Sequence, residues 1–386
     1  MLVYLTLTVA VIGIAMLIKK RELNRGYVDN ICIHRGMTRQ DMVNIIAISA
    51  IFLGLFLVSA LRVNVGNDYS NLVEYMHLVF SRTKYYAPMV PTEVGFNAVS
   101  YAIYYLCGFE NFILVFAVFA FFTLFFFLRG MWEQSECFFL SFMMYILLGY
   151  YFQSFSTVRY YLVLGMALYS IKYVVRNDWP RFVIVILLGA LFHKSLLVLL
   201  VLYPLARLPW KRWMYGVGAL FCLSTLFLHD FYLNEILLRL YPTYKETSYL
   251  TDTKIGYVSI IRCLAVLILS LWVLRGRYKE NNTYRFFFHC NILAIVLYVF
   301  GSFIPLTDRI GHYLMITHVL FVPALIMNIK DDKKKKFMKA ALIVACILYF
   351  ALYMWRDASR DGVRILPYQT ILFHDMPLTL SERGFY

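Results

Sequence analysis

Long apolar runs, each of about the 17–25 residues a helix needs to cross a hydrocarbon core, follow one another along this chain with only short charged interruptions. The clearest occupy residues 3–18, 43–61, 112–128, 137–152, 160–175, 213–228, 257–274, 286–305, 311–327 and 337–353. None shows the ten-residue in-out alternation of a lipid-facing strand, so the pattern predicts helices and disfavours a β-barrel. The expected fold class is an all-α polytopic integral membrane protein with roughly 10–13 transmembrane or re-entrant helices. No internal repeat, low-complexity tract or soluble domain interrupts the pattern. The expectation is one transmembrane domain over residues 1–355, with outer loops at 62–92 and 229–256, and a tail at 356–386. Residues 3–18 run into Lys19-Lys20-Arg21 without a basic leader or a small-residue cleavage site, and are expected to be retained as the first helix.

The charged interruptions orient the helices. Basic loops favour the cytoplasmic side, and the loop at 19–41 carries Lys19, Lys20, Arg21, Arg25, Arg35 and Arg39. The loops at 176–181, 207–212, 275–285 and 330–339 repeat the signal, the last with four consecutive lysines. Counting crossings between these anchors leaves 62–92, 153–159, 229–256, 306–310 and 356–386 on the opposite, outer face. Two segments do not fit a simple count. The stretch 93–107 is apolar but short, and fits if it lies in the interface or dips in and returns. The stretch 182–205 lies between two basic loops and is broken at His193-Lys194-Ser195. Two half-helices meeting at that break would form a re-entrant hairpin, and polar backbone at membrane depth requires a protein-lined or watery cavity there. The alternative is one tilted helix with an internal histidine, which requires a basic loop on the wrong side.

Composition narrows the classes. With 61% hydrophobic and 15% charged residues, the chain has too much apolar surface for a globule of this length. The net charge of +15 sits in helix-flanking loops, which is insertion bias, so no nucleic-acid partner is expected. The seven cysteines are scattered without C-x-x-C motifs or histidine partners at ligand spacing, and neither a metal nor another cofactor is expected.

Ionisable residues near membrane helices are costly, about 2.5–3.5 kcal/mol each at mid-helix, and their retention points to function. They converge on the predicted outer ends: Arg62, Asp68 and Tyr69, then Glu93, Gln153 and Arg159, His193 and Ser195, and Asp308, Arg309 and His312. Arginine rather than lysine dominates, as suits planar, bidentate contact with phosphate oxygens. Each position has a plainer reading. Arg62 and Arg159 are placed to snorkel from helix ends, and Asp308-Arg309 to pair with other ends. Gly66-Asn67-Asp68 is also turn chemistry, and His193 is also compatible with a satisfied core. The outer loops hold Tyr75, Tyr85, Tyr86, Tyr241, Tyr244, Tyr249 and Tyr257, mostly explained as an interfacial aromatic belt.

In order along the chain, Arg62-x-x-x-Gly66-x-Asp68-Tyr69, Glu93-x-Gly95-Phe96, Thr157-x-Arg159, His193-x-Ser195-Leu196 and Leu366-Pro367-Tyr368 resemble the EpsG family of Wzy-like exopolysaccharide polymerases. The resemblance implies a scaffold similar to GT-C-like lipid-donor glycosyltransferases, in a bacterial cytoplasmic membrane with the site facing outward. It implies polymerisation of undecaprenyl-diphosphate-linked repeat units into a surface polysaccharide, with a flippase and a chain-length regulator as candidate partners. Such chemistry needs a base for the acceptor hydroxyl and positive charge for the departing diphosphate. Asp68, His193 and Glu93 are the candidate catalytic groups. Arg62, Arg159, Arg309, Asp308, Gln153, Tyr69 and Ser195 are the candidate substrate contacts. The metal-binding Asp-x-Asp of many nucleotide-sugar enzymes is not matched, since Asp331-Asp332 lies among cytoplasmic lysines. Rival readings are an O-antigen ligase, a membrane acyltransferase using His193 as base, and a transporter or flippase. A transporter should line a path across the whole bilayer and often shows repeated halves, and neither is visible.

Overall fold

A computed structural model describes residues 1–19, 27–28, 31–32, 38–81, 92–240, 256–276, 281–304 and 307–384. Apart from a two-residue antiparallel ladder, Tyr27–Val28 with Ile31–Cys32, its regular elements are helical. In chain order the helices are α1 (Leu2–Ala15), α2 (Arg39–Ala60), α3 (Tyr69–Phe80), α4 (Val94–Cys107), α5 (Phe112–Gln134), α6 (Phe138–Leu147), α7 (Tyr150–Gln153), α8 (Val158–Val175), α9 (Trp179–Ala190), α10 (Leu199–Arg207), α11 (Arg212–Phe231), α12 (Leu238–Leu240), α13 (Tyr257–Leu274), α14 (Asn282–Phe300), α15 (Thr307–Met315), α16 (His318–Met327) and α17 (Asp332–Arg356). Among the described residues, seven spans are long and apolar enough to cross a membrane, eight if the bent α11 segment counts as one, and four apolar helices are shorter. The protein is a multi-pass helical membrane protein.

Contacts divide the chain into two compact units. The first holds Met1–Met166, Leu191–His193 and Lys333–Tyr386, and the second Ala167–Ala190 and Lys194–Asp332.

In the first unit, α2 begins at a capping box. Thr38 and Asp41 each accept the other's backbone N–H, which satisfies donors that the first helical turn leaves open. The amide of Asn44 on α2 accepts from the Lys19 N–H at 3.1 Å and donates to the Lys19 carbonyl at 3.0 Å, closing the end of α1 against α2. At the other end of α2 lies α3, an amphipathic helix. Tyr69, Leu72, Val73, Met76, His77 and Phe80 are buried at the i, i+3, i+4 spacing of one helical stripe. The tail closes over this end. Val63 N–H donates to Gln369 and Ile371 N–H to Leu61, each at 3.0 Å, while Tyr4 donates to the Ile365 carbonyl at 2.8 Å and Tyr368 to that of Val58 at 3.0 Å. The ends of α1 and α2, the α3 turn and the tail therefore meet at one end of this unit.

In the second unit, α9 and α10 are the half-helices expected around the polar break, joined through residues 191–193 and a 3₁₀ turn at Lys194–Val198. The hairpin reading holds and the single tilted helix does not. Phe182 near the start of α9 stacks on Tyr203 near the end of α10, with centroids 6.0 Å apart. Beyond Tyr203, the Arg207 guanidinium donates to the carbonyls of Val174 and Val175 at the end of α8. The chain thus leaves and re-enters at the same level. Deeper in this unit, His318 bonds Asn291 at 2.8 Å and Asn291 donates to the Cys263 carbonyl at 3.0 Å. These contacts tie α16, α14 and α13 through buried polar groups, as membrane helices often are.

Within the expected outer loop at 229–256, residues 229–240 are helical: α11 runs on past a non-helical Leu228 and is followed by a π-helical turn at Tyr232–Leu237 and α12, the axis bending by 79° between Arg212–Thr225 and Phe227–Glu235. Tyr241, Tyr244 and Tyr249, like Tyr85 and Tyr86, lie outside the described residues.

The hairpin makes a sidedness prediction. In a cysteine-free background, Asp178→Cys and Leu208→Cys should react with a membrane-impermeant maleimide from the same face of sealed vesicles. Labelling from opposite faces would mean that α9 and α10 form one crossing.

Candidate functional site

Seven of the ten candidate residues fall in the first unit: Arg62, Asp68, Tyr69, Glu93, Gln153, Arg159 and His193. The structure gathers them at the end of the unit where the tail folds back. The turn that starts α3 is the hub. Gly66 has φ +105° and is packed so closely against the Phe155 carbonyl that a Cβ would overlap it. Its N–H donates to Arg364 at 2.8 Å and the Asp68 N–H to Ser156 at 3.2 Å, so one turn joins the tail to the link between α7 and α8. Asp68 is half-buried at the N-cap of α3, but its carboxylate does not cap the helix, so the turn leaves that group to other contacts. Tyr69 stacks on Phe116 at 4.5 Å, its hydroxyl buried and without a hydrogen-bond partner among the described residues.

Arg62 is placed differently from the expectation. It is 1% exposed, and its Nη1 donates to the Ser59 hydroxyl at 2.9 Å and to the Ser59 carbonyl. Its guanidinium lies over the rings of Phe155 at 4.9 Å and Phe116 at 5.2 Å, and no carboxylate pairs with it among the described residues. The void beside it, shared with Ser59, Thr123, Tyr151, Ser154 and Val158, measures about 10 Å³. That is room for a water at most and far too little for a diphosphate. Arg62 is therefore enclosed rather than snorkelling, with no space for a ligand beside its guanidinium in this geometry. Its backbone bridges to Thr370, and its side chain is enclosed where α2 meets the tail.

Arg159 is the accessible guanidinium. It is 20% exposed, pairs with Glu93, which is 14% exposed, and lies 5.7 Å over Phe96. Glu93 stands at the N-cap of α4, and α4 docks through Gly95, whose N–H donates to the Leu191 carbonyl at 2.7 Å. A Cβ at Gly95 would lie 2.8 Å from that oxygen, so only glycine permits the approach. Two residues beyond Leu191, the His193 ring meets Tyr160 edge-on at 5.6 Å. Glu93, Arg159 and His193, distant in sequence, thus belong to one neighbourhood. Gln153 accepts from the Tyr161 hydroxyl on the same link.

The remaining three candidates lie in the second unit. The Ser195 hydroxyl is 2.8 Å from that of Tyr313, whose own carbonyl accepts from Tyr203 at 3.0 Å. Asp308 is exposed in the first turn of α15, where a negative charge favours the helix dipole, and Arg309 follows it half-buried.

Several groups at the same end of the first unit escaped sequence reasoning. Arg364 donates to the Asn64 amide oxygen at 3.1 Å and to Ser70 at 3.2 Å. Arg383 pairs with Glu74 at 3.1 Å. Glu110 is buried, with one oxygen 3.2 Å from His77 Nδ1 while the other accepts from the tail N–H of Leu380 at 2.7 Å. The signal for Arg364 and Arg383 was a tail too polar for a membrane helix, whereas Glu110 looked like an ordinary loop acid.

The protein is thus a multi-pass helical scaffold that brings an arginine, carboxylates and a histidine together at one end of its first unit. The chain belongs to the EpsG family, whose model matches residues 45–370. That family carries a polysaccharide-polymerase-type membrane function. No curated protein and no solved structure matches the chain.

Since Gly66 joins tail, turn and link, Gly66→Ala should lower unfolding stability by roughly 3 kcal/mol, from a side chain at positive φ plus a backbone clash. A thermal melt of the detergent-solubilised protein reads the effect, and an unchanged midpoint would show that the junction does not bear on stability.

Proposed function

We propose that this chain polymerises polyprenyl-diphosphate-linked oligosaccharide repeat units at the outer face of a bacterial cytoplasmic membrane. Support for the polymerase class comes from the family. Support for the donor comes chiefly from the Arg159–Glu93 pair, a partly exposed guanidinium at helix ends beside the His193 segment. A guanidinium presents five N–H donors in a planar fork, so a carboxylate on one edge leaves it suited to take a diphosphate on another. The sidedness rests on the basic loops, with the tail and the α3 turn at the end opposite to the four-lysine run.

In the reaction so read, a hydroxyl of one lipid-linked glycan attacks the anomeric carbon of another. The bond from that carbon to the diphosphate breaks and the polyprenyl diphosphate departs. Negative charge builds on the leaving group, and Arg159 strengthens its hold as it does so. Asp68 or His193 takes the hydroxyl proton, and Glu93 keeps the Arg159 fork in place. Arg309, Asp308 and Ser195 remain proposed contacts on the second unit. Arg62 acts by holding the tail junction in shape.

Incubation of the purified protein with lipid-linked repeat units should yield a ladder of products. Arg159→Ala should abolish it, a loss of at least about a hundredfold, as for removal of a charge-stabilising donor in other enzymes. Arg159→Lys should rescue poorly, since an ammonium lacks the planar fork. Single transfers without a ladder would indicate a ligase, and wild-type ladders from Arg159→Ala would remove the diphosphate role.

A further inference from the structure

A polar cavity in the first unit lies apart from the neighbourhood of Arg159. It lies between the α3 turn and the tail, measures about 610 Å³ and is walled by Asn64 and Glu74 on one side and by Gln369, Phe373, Asp375 and Arg383 on the other. That volume falls within the range of small-molecule sites, about 300–1,000 Å³. Nothing in the reaction as derived above uses it.

Its lining is unsuited to a diphosphate. Glu74 and Asp375 face it beside His374 and Arg383. An anionic ligand would find both nearby guanidinium groups already engaged, Arg383 by Glu74 at 3.1 Å and Arg364 by Asn64 and Ser70. A lipid tail is equally ill served, because carboxylates and amides would lose water without finding partners. What the wall offers is a set of hydrogen-bond acceptors and amide donors converging from two chain segments. Beside them stands the ring of Phe373, 83% exposed, a large apolar face held out to solvent. Acceptors for vicinal hydroxyls together with an exposed ring for the apolar face of a pyranose are the chemistry of a carbohydrate subsite.

Position adds a second argument. Asn64 and Ser70 line the cavity from the same turn that carries Asp68, a candidate base. The tail wall is fixed independently of Phe373 and Asp375, through Leu380 on Glu110, Tyr368 on Val58 and Arg364 on Asn64 and Ser70. Substitutions at the two exposed residues can thus change the lining without undocking the tail.

We propose that this cavity binds the hydroxyl-rich chain of the acceptor glycan, holding sugars next to the Asp68 turn and apart from the arginine that takes the diphosphate. The identity of the ligand as an acceptor rests on the polymerase reading, whereas the carbohydrate chemistry of the cavity does not. The probe is a set of oligosaccharides of two to four repeat units, released by partial acid hydrolysis from the surface polysaccharide of cells that carry this chain. Saturation-transfer NMR with the full-length protein in nanodiscs reads binding. Transfer to the sugars should be seen with the wild type and with Arg159→Ala, should withstand excess inorganic pyrophosphate, and should weaken at least tenfold with Asp375→Asn and with Phe373→Ala. Equal transfer in all variants, transfer abolished by pyrophosphate, or equal transfer to empty nanodiscs would overturn the proposal. Ladder formation by wild type with transfer unaffected in Asp375→Asn and Phe373→Ala would sink the cavity alone. Specific transfer without ladder formation would sink the polymerase reading and leave the cavity as a carbohydrate site.

Discussion

A guanidinium withdrawn from water has to find its partners inside the chain, and Arg62 finds them in a serine and two aromatic rings rather than in a carboxylate. Leaving a charge so enclosed is costly unless the surrounding structure holds it on every side. Here the surroundings are the end of α2, the link from α7 to α8 and the returning tail, so the enclosure exists only when all three have come together. Gly66 enforces the same junction through the backbone, since its hydrogen bond to the tail and its contact with Phe155 leave no volume for a side chain. The polar end of the first unit is thus a folded object built on one junction, and Asp68, Tyr69 and the tail cavity inherit their positions from it.

That junction separates two kinds of chemistry. On one side, Arg159 with Glu93 and the His193 segment offers positive charge and proton-transfer groups. On the other, the cavity under the tail offers acceptors, amides and an exposed ring, with its lining arginine engaged by Glu74. The proposed reaction would bind one molecule by its diphosphate and another by its sugars, and two environments of different character, joined through one turn, suit that demand.

Much of the fold was legible because lipid as solvent makes the helical code severe. Apolar runs of membrane length, the glycines and the short polar breaks mark α2, α5, α13 and α17 nearly to their ends. The polar break at His193 marked where α9 ends and α10 is set apart from it by a 3₁₀ turn. Helix at 229–240 was not legible, because His229, Asp230, Asn234, Glu235 and Arg239 interrupt the apolar pattern there, whereas the chain bends and continues as helix. For the site, arginine-rich helix ends pointed to Glu93, Arg159 and His193, whose meeting depends on tertiary contacts but whose types carried the signal. Sequence could not separate Arg62 from Arg159. Both follow the same rule of placement, and only packing decides that one is sealed under aromatic rings and the other is reachable. Glu110, Arg364 and Arg383 went unseen because their partners lie hundreds of residues away or in a tail without periodicity.

The most direct test of the account is an electron cryo-microscopy map of the full-length protein in nanodiscs with undecaprenyl diphosphate added. Diphosphate density within hydrogen-bonding distance of Arg159, at the end of the helices where the tail folds back, is the predicted result. Density at the end carrying Lys333–Lys336, or at a lipid-facing surface away from Arg159, would contradict it.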